Sequence, residues 1–361
     1  MRIIATDTQS LEQQPHLTGV PRVASHLNSQ LIAPLRSRGF SLARMHTWPD
    51  QPRAVSARAD FLSSAEILRQ PIVSPEEADV CVFLDVSHVN FPRLAQPELR
   101  STPKVFLIHD ILPIQHPEWF PEGASRGYRL FLRQVLAVAN HVVVSSRHGA
   151  DQVGLLDWPT SAQMHVIPLG SHITALRHLE RSPDADYSLL YVSTIEPRKG
   201  HDLLLDTFDV LLREGHDVLL TLVGRQGWDV ARNWEVGDLV RRIREHPEYG
   251  TRLHWHEKAS DSDVAQLAAT ATHGVIPAID EGFGLFLEEA LGLGLTVVAS
   301  DIPVFAERPH PRLRLAPRTP EAFADAILDN RVTVEPYDAA TPVRTFADAA
   351  SDWAELLGTL A

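Results

Sequence analysis

The sequence predicts an α/β protein built from two doubly wound, parallel-sheet domains. Its 361 residues suit two domains at about 100–200 residues each, both long enough to bury a core. Short apolar runs alternate with amphipathic stretches, the pattern of βαβ units and parallel sheets. The runs are apolar at every position rather than at alternate ones, so the strands are covered on both faces.

In the first half, strand-like runs fall at Ile3–Ala5, Val80–Leu84, Val105–Ile108, His141–Val144 and His165–Pro168. Leu189–Val192, Val218–Val223, Gly274–Pro277 and Thr296–Ala299 follow in the second half. Asp202–Arg213 repeats Leu203, Leu204, Thr207, Phe208, Leu211 and Leu212 at helical spacing. Thr345–Leu360 reads as a closing helix with Trp353, Leu356 and Leu357 on one face. Between Gly170 and Tyr187 the alternation pauses in a polar stretch containing Pro183, which reads as a linker. The domains are therefore placed at residues 1–170 and 171–344, with 345–361 as the closing helix. Two such sheets joined there leave a cleft outside their carboxyl ends, where doubly wound folds bind ligands.

Composition narrows the function. Apolar residues make up 44% and charged residues 22%, as in a globular protein. The net charge of −13 sits entirely in the second half: residues 1–170 hold 15 basic and 15 acidic side chains, and 171–361 hold 18 and 31. That balance excludes a nucleic-acid partner, which needs a basic stripe to displace condensed counterions. An anionic ligand needs a local cluster of donors instead. The single cysteine, Cys81, can form neither an internal disulfide nor a thiolate zinc site, which points to a reducing compartment. No apolar run approaches the roughly 18 residues of a membrane span, and the opening MRIIATD reads as a buried strand rather than a signal peptide. The expected location is cytoplasmic, with peripheral contact at the inner membrane left open.

Several chemistries are absent from the sequence. It has no GxxxxGK[ST] phosphate loop, no GxSxG elbow and no HExxH pair. The GLGL at 292–295 precedes a strand, so it is no dinucleotide fingerprint. Asp261-Ser-Asp263 stands before a helical run, where capping by Ser260 or Asp261 outweighs metal binding. Asp184-Ala-Asp186 falls in the linker, and His254 and His256 lie together by chance in a chain with 18 histidines. No metal site is expected.

Four motifs remain. In Tyr191-Val-Ser-Thr-Ile-Glu-Pro-Arg-Lys-Gly a strand ends, turns at Pro197 and presents Arg198 and Lys199 before a helix. A planar fork beside a compact cation at that place suits a diphosphate. In Asp280-Glu-Gly-Phe-Gly-Leu-Phe-Leu-Glu-Glu-Ala, Gly282 and Gly284 permit close backbone approach where helix-start amides can bind phosphate. Glu281 and Glu289 bracket that helix start and can accept from sugar and ribose hydroxyls, whereas Glu288 falls on another face and is expected to be solvated. His109 and Asp110 follow the buried run Val105–Ile108, at the cleft, with a core histidine as the plainer reading. Gly19, in Thr18-Gly-Val-Pro-Arg, lies in the loop after the first strand.

In order and spacing, these motifs resemble the group 1 glycosyltransferases, family 4 of the retaining nucleotide-sugar enzymes. The resemblance runs from about Thr18 to about Glu307 and is most specific at EPRKG (196–200) and at Glu281 and Glu289 followed by TVVASD (296–301). It implies the GT-B architecture, two Rossmann-like domains facing across a cleft, with the closing helix 345–361 packing back on the first. By similarity Arg198 and Lys199 hold the diphosphate, Glu289 the ribose, and Glu281 the donor sugar, among donor contacts at Gly282, Phe283, Gly284 and Leu285. His109, beside Asp110, touches the sugar from the other wall, and Gly19 approaches the phosphates. Ser193, Ala278 and Phe286 depart from the family's usual glycine, serine and proline. The resemblance implies a retaining, metal-independent hexosyltransferase without a cofactor, the nucleoside diphosphate sugar being its substrate. It is most like the bacterial mannosyltransferases, so GDP-mannose leads over UDP-hexoses and dTDP-rhamnose. A glycan or lipid-linked saccharide is the implied acceptor, in cell-surface polysaccharide or lipopolysaccharide synthesis. A GT-B epimerase and a non-catalytic nucleotide-sugar-binding module are the rival readings.

Overall fold

The computed structural model describes residues 2–8, 19–47, 66–67, 69–85, 91–171, 184–227, 236–329 and 343–361. Thr18 and most of the expected linker, 172–183, lie outside the described residues. Two compact units emerge: Met1–Ile111 with Arg129–Leu169 and Thr345–Ala361, and Leu112–Tyr128 with Gly170–Arg344. The segment 112–128 thus groups with the second unit rather than with its sequence neighbours.

Up to the linker the chain runs β1 (Arg2–Asp7), α1 (Val20–Ser37), β2 (Phe40–Met45), β3 (Ile72–Val73), β4 (Val80–Phe83), β5 (Lys104–Ile108), α2 (Ala124–Val138), β6 (His141–Val144), α3 (Arg147–Gly154) and β7 (Gln163–Val166). Then come β8 (Tyr187–Val192), α4 (His201–Arg213), β9 (Val218–Val223), α5 (Val236–Arg244), β10 (Leu253–His256) and α6 (Asp261–Thr270). The remainder is β11 (His273–Ile276), α7 (Leu285–Gly292), β12 (Thr296–Ser300), β13 (Leu313–Ala316), α8 (Pro320–Asp329) and α9 (Phe346–Leu360).

The first unit holds a seven-stranded sheet in the order β3-β2-β1-β4-β5-β6-β7, parallel throughout. β4 and β5 are buried at every residue, as continuous apolar runs must be. The order reverses between β1 and β4, the switch point at which doubly wound sheets open a crevice. α9 packs on α1, with His26 stacked on Phe346 at 5.4 Å and Trp353 and Leu357 fully buried; Leu356 is half-buried. Thr345 starts that helix by accepting the Asp348 N–H at 3.2 Å, while the Asp348 carboxylate takes the Thr345 N–H at 2.8 Å.

The second unit holds a six-stranded parallel sheet, β10-β9-β8-β11-β12-β13. Its switch point falls between β8 and β11. Phe208, Leu204 and Leu211 of α4, Phe286 and Leu287 of α7, and Phe323 and Ile327 of α8 close the core over the sheet. The chain leaves β8 into the 193–200 turn and leaves β11 into the 277–284 loop, so the two strongest motifs flank one switch point.

Candidate functional site

In the second unit, the strand-to-helix turn after β8 passes through one 3-10 turn, Pro197–Lys199, and ends at Gly200. Gly200 has φ 75°, and a Cβ there would lie 1.9 Å from the Pro277 carbonyl oxygen, so only glycine fits. This close approach seats the turn on the segment after β11, where the Ile279 N–H donates to the Arg198 carbonyl at 2.8 Å. It also brings the cations onto Glu281. Lys199 Nζ lies 2.5 Å from Glu281 Oε1, and Arg198 Nη1 lies 3.8 Å from Glu281 Oε2. Arg198 Nε donates to Glu196 Oε2 at 2.8 Å, which leaves the outer edge of the guanidinium fork turned toward Glu281. Burial pushes the Glu281 carboxyl up, but Lys199, then Arg198 and Arg308, outweigh it and hold the group below the usual carboxylate range.

A second layer shapes the turn. The Tyr191 hydroxyl donates to the Lys199 carbonyl at 3.1 Å. His201 is 1% exposed, with Nδ1 3.3 Å from the Glu196 carbonyl and Nε2 3.2 Å from Ser193 Oγ. A carbonyl only accepts, so Nδ1 carries the proton and Nε2 accepts from Ser193. Burial, with a smaller push from Lys199, lowers the His201 pKa to about 3. Ser193, where the family's pattern has glycine, is thus engaged by the histidine beneath the turn.

After β11 the loop closes at Gly284, left-handed at φ 75° and ψ 68°. A Cβ there would lie 2.5 Å from the Phe305 ring, so the loop packs on that ring and opens α7. Gly282, Phe283 and Leu285 flank this point, and Glu289 on α7 is 2% exposed. The expectation that Glu288 is solvated is corrected. It is 8% exposed and its Oε1 accepts from Arg308 Nη1 at 3.1 Å. α7 is buried from Phe286 to Gly292 and has no solvated face for Glu288 to occupy. Arg308, twenty residues downstream, was not legible as its partner. Burial still raises the Glu288 carboxyl, against the opposing pull of Arg308 and Arg344.

In the first unit, His109 and Asp110 follow β5 directly. His109 Nε2 is 2.8 Å from the Leu84 carbonyl, which fixes the proton on Nε2 and leaves Nδ1 as the acceptor nitrogen. Burial lowers its pKa more than the Leu84 carbonyl, Asp85 and Asp110 raise it, so the ring is neutral. Gly19 precedes α1 at φ 56° and ψ −120°, and a Cβ there would meet nothing within 4 Å. Each unit therefore holds its own share of the expected residues: Arg198, Lys199, Glu281, Gly282 to Leu285 and Glu289 in the second, Gly19, His109 and Asp110 in the first.

Of the Asp261–Asp263 pair, Asp263 is engaged in the helix cap that Ser260 makes, one of the two caps expected there. Ser260 Oγ accepts the Asp263 N–H at 3.1 Å, and the Asp263 carboxylate takes the Ser260 N–H at 2.8 Å.

Solved structures superpose on nearly the whole chain. Anabaena HepE in complex with UDP and glucose superposes with a TM-score of 0.65 at 17% identity, over 99% of this chain and 95% of that one. The lipopolysaccharide outer core galactosyltransferase WaaB superposes with a TM-score of 0.56 at 16% identity, over 98% and 95%. At these identities the likeness is one of fold, which is GT-B. In sequence, residues 173–330 match the model of the glycosyl transferases group 1. The Escherichia coli serotype-specific mannosyltransferase WbdA is 30% identical over 85% of this chain and 38% of its own length. The Escherichia coli O-antigen chain mannosyltransferase B is 29% identical over 56% of this chain and 54% of its own. The chain belongs to the group 1 glycosyltransferases. It spans about two fifths of the length of the WbdA relatives it matches.

Proposed function

We propose that this chain is a retaining hexosyltransferase that moves a sugar, mannose from GDP-mannose in the first place, to an acceptor hydroxyl in bacterial surface-polysaccharide synthesis. The observation that carries the reading is the cluster at the second unit's switch point. Two cations, an acid with a lowered pKa and a glycine-opened helix start are held together there by backbone packing. The mannosyltransferase relatives support the donor, and UDP-hexoses and dTDP-rhamnose are the alternatives.

In this reading Arg198, Lys199 and the amides opening α7 meet the charge that builds on the departing diphosphate, the electrostatic contribution that dominates much of catalysis. Glu289 accepts from the ribose hydroxyls and Glu281 from a hydroxyl of the donor sugar. The bond from sugar C1 to the diphosphate oxygen breaks, and the acceptor oxygen bonds to C1 on the same face. The acceptor's proton passes to the leaving diphosphate. Neutral His109 contacts the donor sugar, and a glycan or lipid-linked saccharide supplies the acceptor hydroxyl.

The test is a thermal-shift screen against GDP, UDP, dTDP and their sugars, because a ligand that binds the native state alone raises Tm. A shift with GDP and GDP-mannose supports the lead, and a shift with UDP or dTDP compounds alone reassigns the donor. No shift with any of them overturns the reading. NMR of the product anomer then separates retention from inversion.

A further inference from the structure

Arg308 lies outside every motif legible in the sequence, yet its side chain is only 14% exposed and each of its nitrogens has a partner. Nη1 donates to Glu288 Oε1 at 3.1 Å, Nη2 to the Phe283 carbonyl, and Nε to the Val304 carbonyl at 3.2 Å. Its Cζ stands 4.1 Å from the Phe283 ring centroid and 5.8 Å from that of Phe305. One side chain thus grips the 280–284 loop by backbone and ring, α7 through Glu288, and the turn at Pro303–Ala306.

A buried ion pair is a poor device for stability alone, since a matched apolar pair of similar volume commonly equals or exceeds it. An apolar pair cannot hold a carbonyl. Phe283 stands between two glycines, where the backbone has the most freedom to lose. The helical hydrogen bonds of α7 begin with the Leu287 N–H on the Gly284 carbonyl at 3.0 Å. The Phe283 carbonyl falls one residue short of that ladder and takes its partner from Arg308.

We propose that Arg308, held in place by Glu288, is a positioning residue for donor binding. By fixing the carbonyl and ring of Phe283, it sets the direction of the amide groups that open α7. The proposal rests on the reading of residues 280–289 as the donor site.

The test uses the full chain and three variants, read by melting temperature and by donor kinetics. Arg308→Leu strands Glu288 without its guanidinium, so Tm falls and donor KM rises. Glu288→Leu with Arg308→Leu removes both charges: Tm returns to the wild-type value, while donor KM stays raised by about tenfold or more, as for a lost charge-assisted hydrogen bond. Arg308→Lys keeps the positive charge near Glu281 but loses the fork, and it too shows a raised KM with kcat nearly unchanged. This single variant serves if the double variant fails to fold. A wild-type donor KM in the double variant, or in Arg308→Lys, overturns the proposal and leaves the pair a packing feature. A wild-type chain that binds neither nucleoside diphosphate nor nucleotide sugar by calorimetry overturns the donor-site reading itself, and this proposal with it.

Discussion

Lys199 and Glu281 form the shortest charged contact at the switch point of the second sheet, Nζ to Oε1 at 2.5 Å. They stand 82 residues apart in the chain, and the contact exists because Gly200 lets one loop rest on the carbonyl of Pro277. Any diphosphate that binds Lys199 has to share it with Glu281 or displace it. If the switch point is the donor site proposed above, binding would be an exchange in which Lys199 turns from carboxylate to phosphate and Glu281 is released to a sugar hydroxyl.

That exchange gives opposite expectations for the two partners. Glu281→Gln removes the competitor for Lys199, so free nucleoside diphosphate should bind as well as in wild type or more tightly. Transfer should still fall by roughly ten- to a hundredfold, the worth of one charge-assisted hydrogen bond. Lys199→Ala should weaken both. Calorimetry beside a transfer assay checks this, and weakened diphosphate binding in Glu281→Gln would remove the exchange.

His201 gives the protein an acid limb. Its pKa falls from 6.5 to about 3 on folding, so the unfolded chain binds more protons between those values. Its contribution is complete above about pH 6.5 and is lost as pH falls toward 3, with a slope of up to about 1.4 kcal/mol per pH unit. His201→Gln should flatten that limb in urea titrations at pH 4 to 7. A slope unchanged by the substitution would assign the acid sensitivity to other groups.

Much of this was legible in the sequence, and what was missed has a physical cause. β4, β5, β6, β8, β9, β11 and β12 are central or near-central strands covered on both faces, so they read as plain apolar runs. β2 (FSLARM) and β13 (LRLA) are interrupted by polar residues, with Arg44 half-buried and Arg314 exposed, which hides them from a search for apolar runs. β7 begins two residues before the expected run because pairing of Val144 with Val166, not local hydrophobicity, sets its register. Arg198, Lys199 and Glu281, which the structure brings together, stand out in the sequence because strand ends and turns mark them locally. Arg308 and the burial of Glu288 were not, since their pairing depends on α7 being enclosed on every side.

His109 tests the first unit. Its Nε2 proton is held by Leu84, and burial keeps the ring neutral. His109→Ala should cut turnover strongly while the Kd for free nucleoside diphosphate moves little. Equal loss of nucleotide affinity would make His109 a structural or phosphate-binding residue.

Metal dependence follows from how the diphosphate is neutralised. With Arg198, Lys199 and the helix-start amides on it, transfer should survive EDTA nearly intact. Asp263 is already committed to the Ser260 cap, so it is poorly placed to ligate a cation. Complete loss of activity under EDTA, restored by magnesium or manganese, would contradict this and require ligands elsewhere.

Adjacent glutamates on α7 give the sharpest test of the site's register. Glu289, 2% exposed, is assigned to the ribose. Glu289→Gln keeps its size and removes the charge, so nucleotide affinity should drop by roughly ten- to a hundredfold with little change in Tm. Glu288 is bound to Arg308 at 3.1 Å instead, so its variants should report on stability and, through Arg308, on donor KM, but not on the ribose contact. Glu288→Ala leaves a guanidinium buried without its carboxylate, a loss of about 3–5 kcal/mol for a broken buried pair. Glu288→Gln keeps one acceptor for Nη1 and should cost less. Its pKa is raised on folding, so the carboxyl lowers stability as pH rises from the usual carboxylate range through its folded value. Glu288→Gln should remove that dependence, and Glu289→Gln should leave it in place. If Glu288→Gln abolishes nucleotide binding at unchanged Tm while Glu289→Gln does not, the ribose assignment moves back by one residue.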